Sequence, residues 1–345
     1  PYGRWLFNAG LLETQISVNT ACSQSSVQIF PLICRLTRFR NLMYLFVKVL
    51  TRFTLWLYSK RISIYNPQLL KVETPMVLGS NHPNSFLDAI IVGGLMSHRV
   101  HFITRSGVFK HPVARAILRS VNMIPVYRMS DGKHQLSNND ATFEEVRQIL
   151  KRGEHVMIFV EGLCIHQTTL QTPLKKGAPR MLLQAWADGL DVKLLPVWLR
   201  YSSFDQFPKE IDVNLGDPFG KEVLNGNTEN GAAMLAINKQ NELQLQQLST
   251  VKHKVPASFP KLLLFLPAML AVLTHIIFYF PLQRIAWKFK FDQYYDSIHF
   301  VLLAFLYPFY LLTIGTIVWW FLGAWWSLGA VLLMPLLAKA YALWK

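Results

Sequence analysis

Three long apolar runs dominate the C-terminal quarter of the chain, at residues 262–282, 298–322 and 324–343. A bilayer hydrocarbon core is about 30 Å thick, and about 20 apolar helical residues span it. We therefore predict a membrane segment over residues 259–345, in which the second and third runs form a helical hairpin. Basic residues flank the first run on both sides, so its charges do not show whether it spans the membrane or is re-entrant or interfacial.

The composition agrees with a protein that lies partly in lipid. Only 16% of the residues are charged and 52% are hydrophobic, whereas about 25% are charged in soluble proteins. The formal net charge of +15 favours an anionic partner, such as nucleic acid, an anionic membrane surface or a phosphorylated or CoA-like substrate. The three cysteines have no CxxC or metal-ligand spacing, which indicates a reducing compartment and no disulfide framework.

The N-terminal region changes character near Met43. Residues 1–42 carry scattered Ser, Asn and Gln without a clear period, and we expect a poorly ordered extension there. Residues 43–62 are mostly apolar, with their polar residues on a narrow helical stripe, which is typical of a helix that lies in the membrane interface. The alternative for this segment is an ordinary helix that faces the core.

Residues 63–220 alternate between apolar strand-like runs and helical patterns. This alternation predicts an α/β catalytic domain with a mostly parallel central sheet flanked by helices. The polar residues 221–258 follow, and we expect a surface appendage or linker there. The predicted strands are 76–80, 100–104, 156–160, 194–199 and 211–215, and the predicted helices lie near 86–96, 112–120, 141–151 and 178–188.

The stretch S-N-H-P-N-S-F-L-D contains His82 and Asp88 directly after a predicted strand. Pro83 keeps His82 out of the α conformation, and Asn84 or Ser85 is a natural N-cap for the next helix. In open α/β sheets, ligands bind at the carboxyl ends of the strands. Asp88 can accept a hydrogen bond from the imidazole and leave Nε2 as a general base. The simpler alternative is a turn histidine followed by an aspartate that favours the helix dipole.

Two further stretches suit an anionic ligand. Arg128 ends the run I-P-V-Y-R, and arginine binds phosphate oxygens in a bidentate manner. Glu161 and Gly162 follow a predicted strand, as in a loop that lines an active site. Lys175 and Lys176 precede a predicted helix start, where unpaired N–H groups and basic side chains act together on an anion. Taken alone, each stretch also fits a surface arginine or a solvated loop.

The order of these pieces resembles the four consecutive motifs of the glycerolipid acyltransferase family. That family includes 1-acylglycerol-3-phosphate acyltransferases and glycerol-3-phosphate acyltransferases. In this chain the motifs are N-H-P-N-S-F-L-D, then I-P-V-Y-R, then F-V-E-G with L-K-K-G-A, and finally L-L-P-V. The likeness covers roughly residues 43–220.

The resemblance implies an integral membrane enzyme of phospholipid biosynthesis, with the glycerolipid acyltransferase fold and its catalytic domain on the cytoplasmic face. It implies transfer of a fatty acyl group from acyl-CoA or acyl carrier protein to the hydroxyl of a lysophosphatidic-acid-type acceptor among the membrane lipids. No further cofactor and no metal are expected. His82 would be the general base and Asp88 its orienting partner. The residues implied at the acceptor's phosphate are Arg128, Glu161 and Gly162, with Lys175 and Lys176 as additional contacts.

The first motif departs from the family pattern in spacing, and the third departs in sequence. Five residues separate His82 from Asp88 instead of the usual four, and Val160 stands where the family has proline, with Leu163 and Cys164 after the glycine. Glycerol 3-phosphate or a monoacylated aminolipid therefore remains open as the acceptor. A cysteine nucleophile and an inactive lipid-binding protein also remain open. Nucleic-acid binding has no basic-aromatic motif or Cys/His finger to support it.

Overall fold

The computed structural model describes residues 29–128, 137–226, 229–253, 260–289 and 293–345, with side chains from residue 41 onward. Within these ranges the chain forms an α/β domain and three long C-terminal helices. The strands are β1 (Ser59–Tyr65), β2 (Met76–Ser80), β3 (Val100–Arg105), β4 (Met123–Val126), β5 (His155–Phe159), β6 (Lys193–Tyr201) and β7 (Lys209–Leu215). The helices are α1 (Ile29–Tyr58), α2 (Phe86–Leu95), α3 (Pro112–Ser120), α4 (Asn138–Lys151), α5 (Gly177–Ala187), α6 (Asn230–Ser249), α7 (Lys261–Trp287), α8 (Tyr295–Leu322) and α9 (Ala324–Trp344).

The strands form one sheet in the order β1-β7-β6-β2-β5-β3-β4. Neighbouring strands are parallel except β6 and β7, which are antiparallel. All five residues of β2 are buried, as expected for a parallel strand covered on both faces, which appears in sequence as a continuous apolar run. The predicted fold class is confirmed. Since β2, β3, β4 and β5 run in the same direction, their carboxyl ends meet at one edge of the sheet.

Two hydrophobic clusters cover the faces of the sheet, because alternate strand residues point to opposite sides. Leu78 of β2 belongs to the first cluster, together with residues of α1, α2 and α8. Its neighbour Val77 belongs to the second cluster, with residues of α4, α5 and α6. Helix α8, from the predicted membrane segment, is therefore part of the core of the domain.

Residues 221–258 do not form the surface appendage or linker that their polarity predicted. Helix α6 lies in this segment and packs against the sheet, with Ile237 and Leu245 fully buried in the second cluster. Its buried residues recur every three or four positions, so a narrow stripe packs while the Gln-rich remainder faces solvent. The mean polarity of the helix hid that stripe. Residues 227–228 and 254–258 of this prediction lie outside the described residues.

Helix α1 begins at Ile29, earlier than the predicted start at residue 43. The extension predicted over residues 1–42 therefore overlaps a helix, and its first 28 residues lie outside the described part of the chain. Pro31 is in the first turn of α1, where a missing N–H breaks no helical hydrogen bond. The placement of α1 in a membrane interface stays a prediction.

The C-terminal helices α7, α8 and α9 coincide with the three predicted apolar runs. By length and composition, all three can cross a membrane. The first run is one continuous helix despite Pro267 and Pro281. Most of the large apolar side chains of α7, α8 and α9 are exposed, as lipid-facing side chains are. The first half of α8 differs from the rest, because most of its residues from Tyr295 to Tyr307 are buried.

Candidate active site

The turn between β2 and α2 carries the predicted catalytic pair. His82 Nδ1 lies 2.8 Å from Asp88 Oδ2. The Asp88 side chain is 0% exposed, whereas the His82 side chain is 17% exposed. Because Nδ1 is hydrogen-bonded to the Asp88 carboxylate, Nε2 is the ring nitrogen left for proton transfer. The predicted pair is thus in direct contact.

The turn contains an unusual backbone conformation at Ser85, with φ 52° and ψ −131°. A non-glycine residue in this region costs about 1–3 kcal/mol and persists only where its surroundings hold it. The Asn84 N–H donates to Asp88 Oδ2 at 2.8 Å. The same carboxylate oxygen therefore binds the imidazole and a backbone group of the turn, which ties the turn to the first turn of α2.

Tyr201, at the carboxyl end of β6, binds the other oxygen of the Asp88 carboxylate. Its hydroxyl donates to Asp88 Oδ1 at 2.6 Å. Burial raises the pKa of Tyr201 well above its usual value, and the charge of Asp88 raises that pKa further, so the hydroxyl stays protonated as a donor. Sequence reasoning missed Tyr201. The available signal was its position at the end of the strand that carries the fourth motif.

The imidazole is also held by its neighbours. The rings of His82 and Phe159 are stacked, with centroids 3.7 Å apart and planes at 11°. The Ile165 N–H donates to the backbone oxygen of His82 at 3.3 Å. Together with the bond to Asp88, these contacts restrict the ring to one orientation.

Glu161 lies beside the same turn, and its carboxylate is turned inward. It is 4% exposed, and its two oxygens accept backbone N–H groups of His82 at 2.8 Å and of Gln171 at 2.9 Å. Burial raises the pKa of the Glu161 carboxyl, and the two backbone donors oppose that shift. Glu161 thus joins the His82 turn to the loop after β5, so it fixes these two segments relative to each other.

Gly162 and the two lysines lie at the end of β5 and the start of α5. Gly162 has φ +72°, and a Cβ there would lie 2.8 Å from Lys175 Cγ, so the lysine stem packs over the glycine. The Lys175 N–H donates to Val160 O at 2.8 Å. Lys175 and Lys176 are exposed. They place positive charge at the carboxyl edge of the sheet.

Arg128 lies two residues beyond β4, at the same edge of the sheet as His82. Three strand spacings separate β4 from β2, which corresponds to roughly 14 Å. Arg105 ends β3 between them. The structure therefore brings His82, Asp88 and Glu161 into one contact network and places Arg128 farther along the same edge.

Cys164 is a poor candidate for a nucleophile. Its Sγ accepts the Ser85 N–H at 3.1 Å. Burial raises the pKa of the Cys164 thiol to about 12, and the charge of Asp88 contributes. Since the thiolate is the reactive form, this thiol is unreactive at neutral pH.

A second missed group comes from the membrane segment. Asp296, on the first turn of α8, accepts a hydrogen bond from Asn84 Nδ2 at 2.7 Å. The next residue, Ser297, accepts the Leu87 N–H at 3.0 Å. The sequence signal was faint, namely an Asp-Ser pair directly before an apolar run.

Within the described ranges, no group of three or more His, Cys, Asp or Glu side chains could hold a metal ion. Among solved structures, the chain is similar to the 1-acyl-sn-glycerophosphate (LPA) acyltransferase PlsC from Thermotoga maritima. The identity is 14%, the TM-score is 0.44, and the match covers 71% of this chain and 92% of that chain. Among curated protein sequences, none matches the chain significantly.

Residues 61–200 match the sequence profile of the Acyltransferase family. This range contains the His82–Asp88 turn, Arg128 and the Glu161 loop, which are the elements assembled at the carboxyl edge of the sheet. By this match, residues 61–200 are similar to acyltransferase domains.

Proposed function

We propose that the chain transfers a fatty acyl group from a thioester, on CoA or acyl carrier protein, to the hydroxyl of a lysophosphatidic-acid-type acceptor. The observation that carries this proposal is the 2.8 Å contact between a partly exposed imidazole, His82, and a fully buried carboxylate, Asp88. A buried carboxylate stabilises the imidazolium that forms when the ring takes a proton. General-base catalysis of this kind contributes about 10²–10⁴ to the rate.

In the proposed reaction, His82 Nε2 removes the proton of the acceptor hydroxyl while the hydroxyl oxygen attacks the thioester carbonyl carbon. The new C–O bond forms, the C–S bond breaks, and the thiolate takes a proton from the imidazolium. Asp88 holds the ring and its charge, and Tyr201 holds Asp88. No acyl-enzyme is needed, in agreement with the raised pKa of the Cys164 thiol.

The charge at the carboxyl edge supports an acceptor that carries a phosphate. Lys175 and Lys176 lie on this edge at the start of α5, and Arg128 lies farther along it, beyond β4. Arginine and lysine are the usual partners of phosphate oxygens. The inward carboxylate of Glu161 presents little negative charge to the edge.

The membrane segment supports a lipid acceptor over a fully soluble one. Asp296 and Ser297, on the first turn of α8, touch the catalytic turn, so the site lies at one end of a helix that is apolar enough to span a bilayer. An acceptor with its head group at the membrane surface and its chain in the lipid fits this position. Both acyl donors belong to the cytoplasm, so we place the catalytic domain on that face.

The test is an assay of the purified full-length chain in lipid vesicles, with vesicles lacking the protein as the blank. Labelled acyl-CoA and acyl carrier protein are each offered with lysophosphatidic acid, glycerol 3-phosphate or a monoacylated aminolipid. We expect the fastest acylation with lysophosphatidic acid. A preference for another acceptor would replace the proposed substrate, and no acylation of any acceptor would overturn the catalytic proposal in favour of lipid binding alone.

A further inference from the structure

We propose that Asp296 and Ser297, at the start of membrane helix α8, are positioning residues of the active site. Catalysis would then require the membrane segment to be docked on the domain. This inference rests on the proposed role of His82 as the general base. It gives the C-terminal helices a function beyond anchoring.

Asp296 joins three elements of the domain at a fully buried point. Its Oδ2 accepts hydrogen bonds from Asn84 Nδ2, at 2.7 Å, and from the Lys209 ammonium on β7. Its Oδ1 accepts the Tyr58 hydroxyl of α1 at 2.9 Å. A buried carboxylate with a cationic partner and two further donors is strongly held, and removal of one partner leaves an uncompensated charge. Asn84 is therefore fixed from the membrane side.

Ser297 performs the task of an N-cap for α2, although it belongs to another helix. Ser85 stands at the N-cap position of α2 and makes no side-chain cap bond. The Leu87 N–H in the first turn is instead shared between Ser297 Oγ, at 3.0 Å, and Asn84 O, at 3.2 Å. First-turn N–H groups of a helix need an acceptor from outside its own ladder. The membrane helix supplies one here.

These contacts reach the reacting atoms in two steps. The side chain of Asn84 is held by Asp296, and its backbone N–H donates to Asp88 Oδ2, the oxygen that also binds the His82 ring. Ser85, the residue with positive φ, lies next to Asn84 in the turn. Such a conformation relaxes when its surroundings no longer hold it. Loss of the membrane-side contacts would then shift Asp88 and the imidazole.

The expected consequence is a slower chemical step with little change in substrate binding. A misplacement of about 1 Å at a reacting group can cost about 10²-fold in rate. For Ser297→Ala in the full-length chain in vesicles, we expect kcat to fall about tenfold, with KM within twofold of the wild-type value. Asp296→Asn, which keeps the shape and removes the charge, should lower kcat by a similar or larger factor.

Ser327→Ala is the matched control. Ser327 also lies in the membrane segment, and its hydroxyl donates to Gly315 O at 2.7 Å, within the α8–α9 hairpin. We expect its kcat to stay within twofold of wild type. Thermal unfolding of each variant in the same vesicles separates a stability effect from a positioning effect. The inference would be overturned if Ser297→Ala and Ser327→Ala lowered kcat equally and both losses were explained by lower melting temperatures.

Each substitution is then repeated in an Asp88→Asn background. Residues that act through the same group give losses that do not multiply, so Ser297→Ala should cost less than twofold there. A full tenfold loss in that background would overturn the inference, as would a wild-type rate for both Ser297→Ala and Asp296→Asn. If either Ser297→Ala or Asp296→Asn does not fold, the kcat of the other variant tests the inference. A wild-type rate for Asp88→Asn itself would instead contradict the proposed function.

Discussion

The α/β domain and the membrane segment use their apolar residues in opposite ways. The domain buries them in two clusters on the faces of the sheet, whereas α7, α8 and α9 expose most of theirs. The exception is the start of α8, where Asp296 and Ser297 are buried polar residues. Polar groups are costly to bury without partners, and both residues find theirs in the α/β domain, at the turn between β2 and α2.

Both regions hold the same turn, but they hold different atoms of it. From the domain, Asp88 touches the imidazole of His82, and Glu161 binds the His82 backbone. From the C-terminal segment, Asp296 binds the Asn84 side chain in the turn, and Ser297 binds the Leu87 N–H in the first turn of α2. In the proposed reaction, the domain supplies the reacting groups and the C-terminal helices contribute to their geometry.

The largest effect should come from His82→Ala, which removes the base itself. We expect kcat to fall by about 10²–10⁴ in a chain that still folds, because Asn84 and Tyr201 continue to donate hydrogen bonds to Asp88. Initial rates and thermal unfolding in vesicles measure both. An equal rate for wild type and variant would show that His82 is not the base, and the domain would then not supply the reacting group at this position.

His155 tests whether the domain can be weakened without any change at the turn. It is fully buried at the start of β5, where Nδ1 accepts the Met76 N–H at 3.2 Å and Nε2 donates to Val72 O at 3.2 Å. Burial, and the charge of His98, lower the pKa of His155 to about 4 from 6.5. The neutral ring therefore contributes its full stability above pH 6.5. The unfolded chain takes up a proton as the pH falls below that value.

We expect the free energy of unfolding to fall by about 3 kcal/mol between pH 6.5 and pH 4 through this group. His155→Gln, which cannot be protonated, should lose that part of the pH dependence. Unfolding at pH 7 and pH 4.5 for both proteins measures the difference. An identical acid dependence of the two would contradict the assignment.

Glu161→Gln should show how firmly the domain side holds the turn. The variant keeps one acceptor oxygen and loses the other, so one of the backbone N–H groups of His82 and Gln171 is left without its partner. The expected cost is about 2 kcal/mol in stability, with a fall in kcat close to that of Ser297→Ala. Initial rates of the two variants, measured in parallel, test this equality. An unchanged rate for Glu161→Gln would mean that the contacts of Asp296 and Ser297 hold the His82 turn more firmly than Glu161 does.

The smallest effect is expected from Tyr201→Phe, which removes one donor from Asp88 Oδ1 and preserves the packing of the ring. A hydrogen bond to a charged group contributes about 1.5–3 kcal/mol to stability. We expect only about fivefold in rate, because the other oxygen of Asp88 keeps both of its partners. The fall should appear in kcat, because Tyr201 acts through Asp88. A rise in KM at constant kcat would instead place Tyr201 in substrate binding.

The sequence was most informative where local pattern and burial coincide. Strand β2 was predicted to the residue, and α2 begins at the predicted Phe86, because a buried parallel strand is an apolar run and a Pro-Asn-Ser turn ends it. Strand β1 was not predicted. It is an edge strand with Lys60 and Arg61, and these basic residues were interpreted as the flank of an interfacial helix.

The missed site residues share a different cause. Tyr201 and Asp88 are 113 positions apart, and Asn84 and Asp296 are 212 positions apart. Their contacts depend on the strand order and on the docking of α8, neither of which leaves a periodic or spaced pattern in the sequence. The His82–Asp88 pair could be predicted because both partners lie in one turn.

In the proposed mechanism, Asp88 holds His82 with the proton on Nδ1, so that Nε2 is the base. The most direct measurement is the ¹⁵N spectrum of the histidine-labelled full-length chain, with the His82 signals identified by their loss in His82→Gln. We expect a protonated Nδ1 and an unprotonated Nε2 for the neutral ring, and loss of this preference in Asp88→Asn. A neutral His82 with its proton on Nε2 in the wild-type chain would contradict this mechanism.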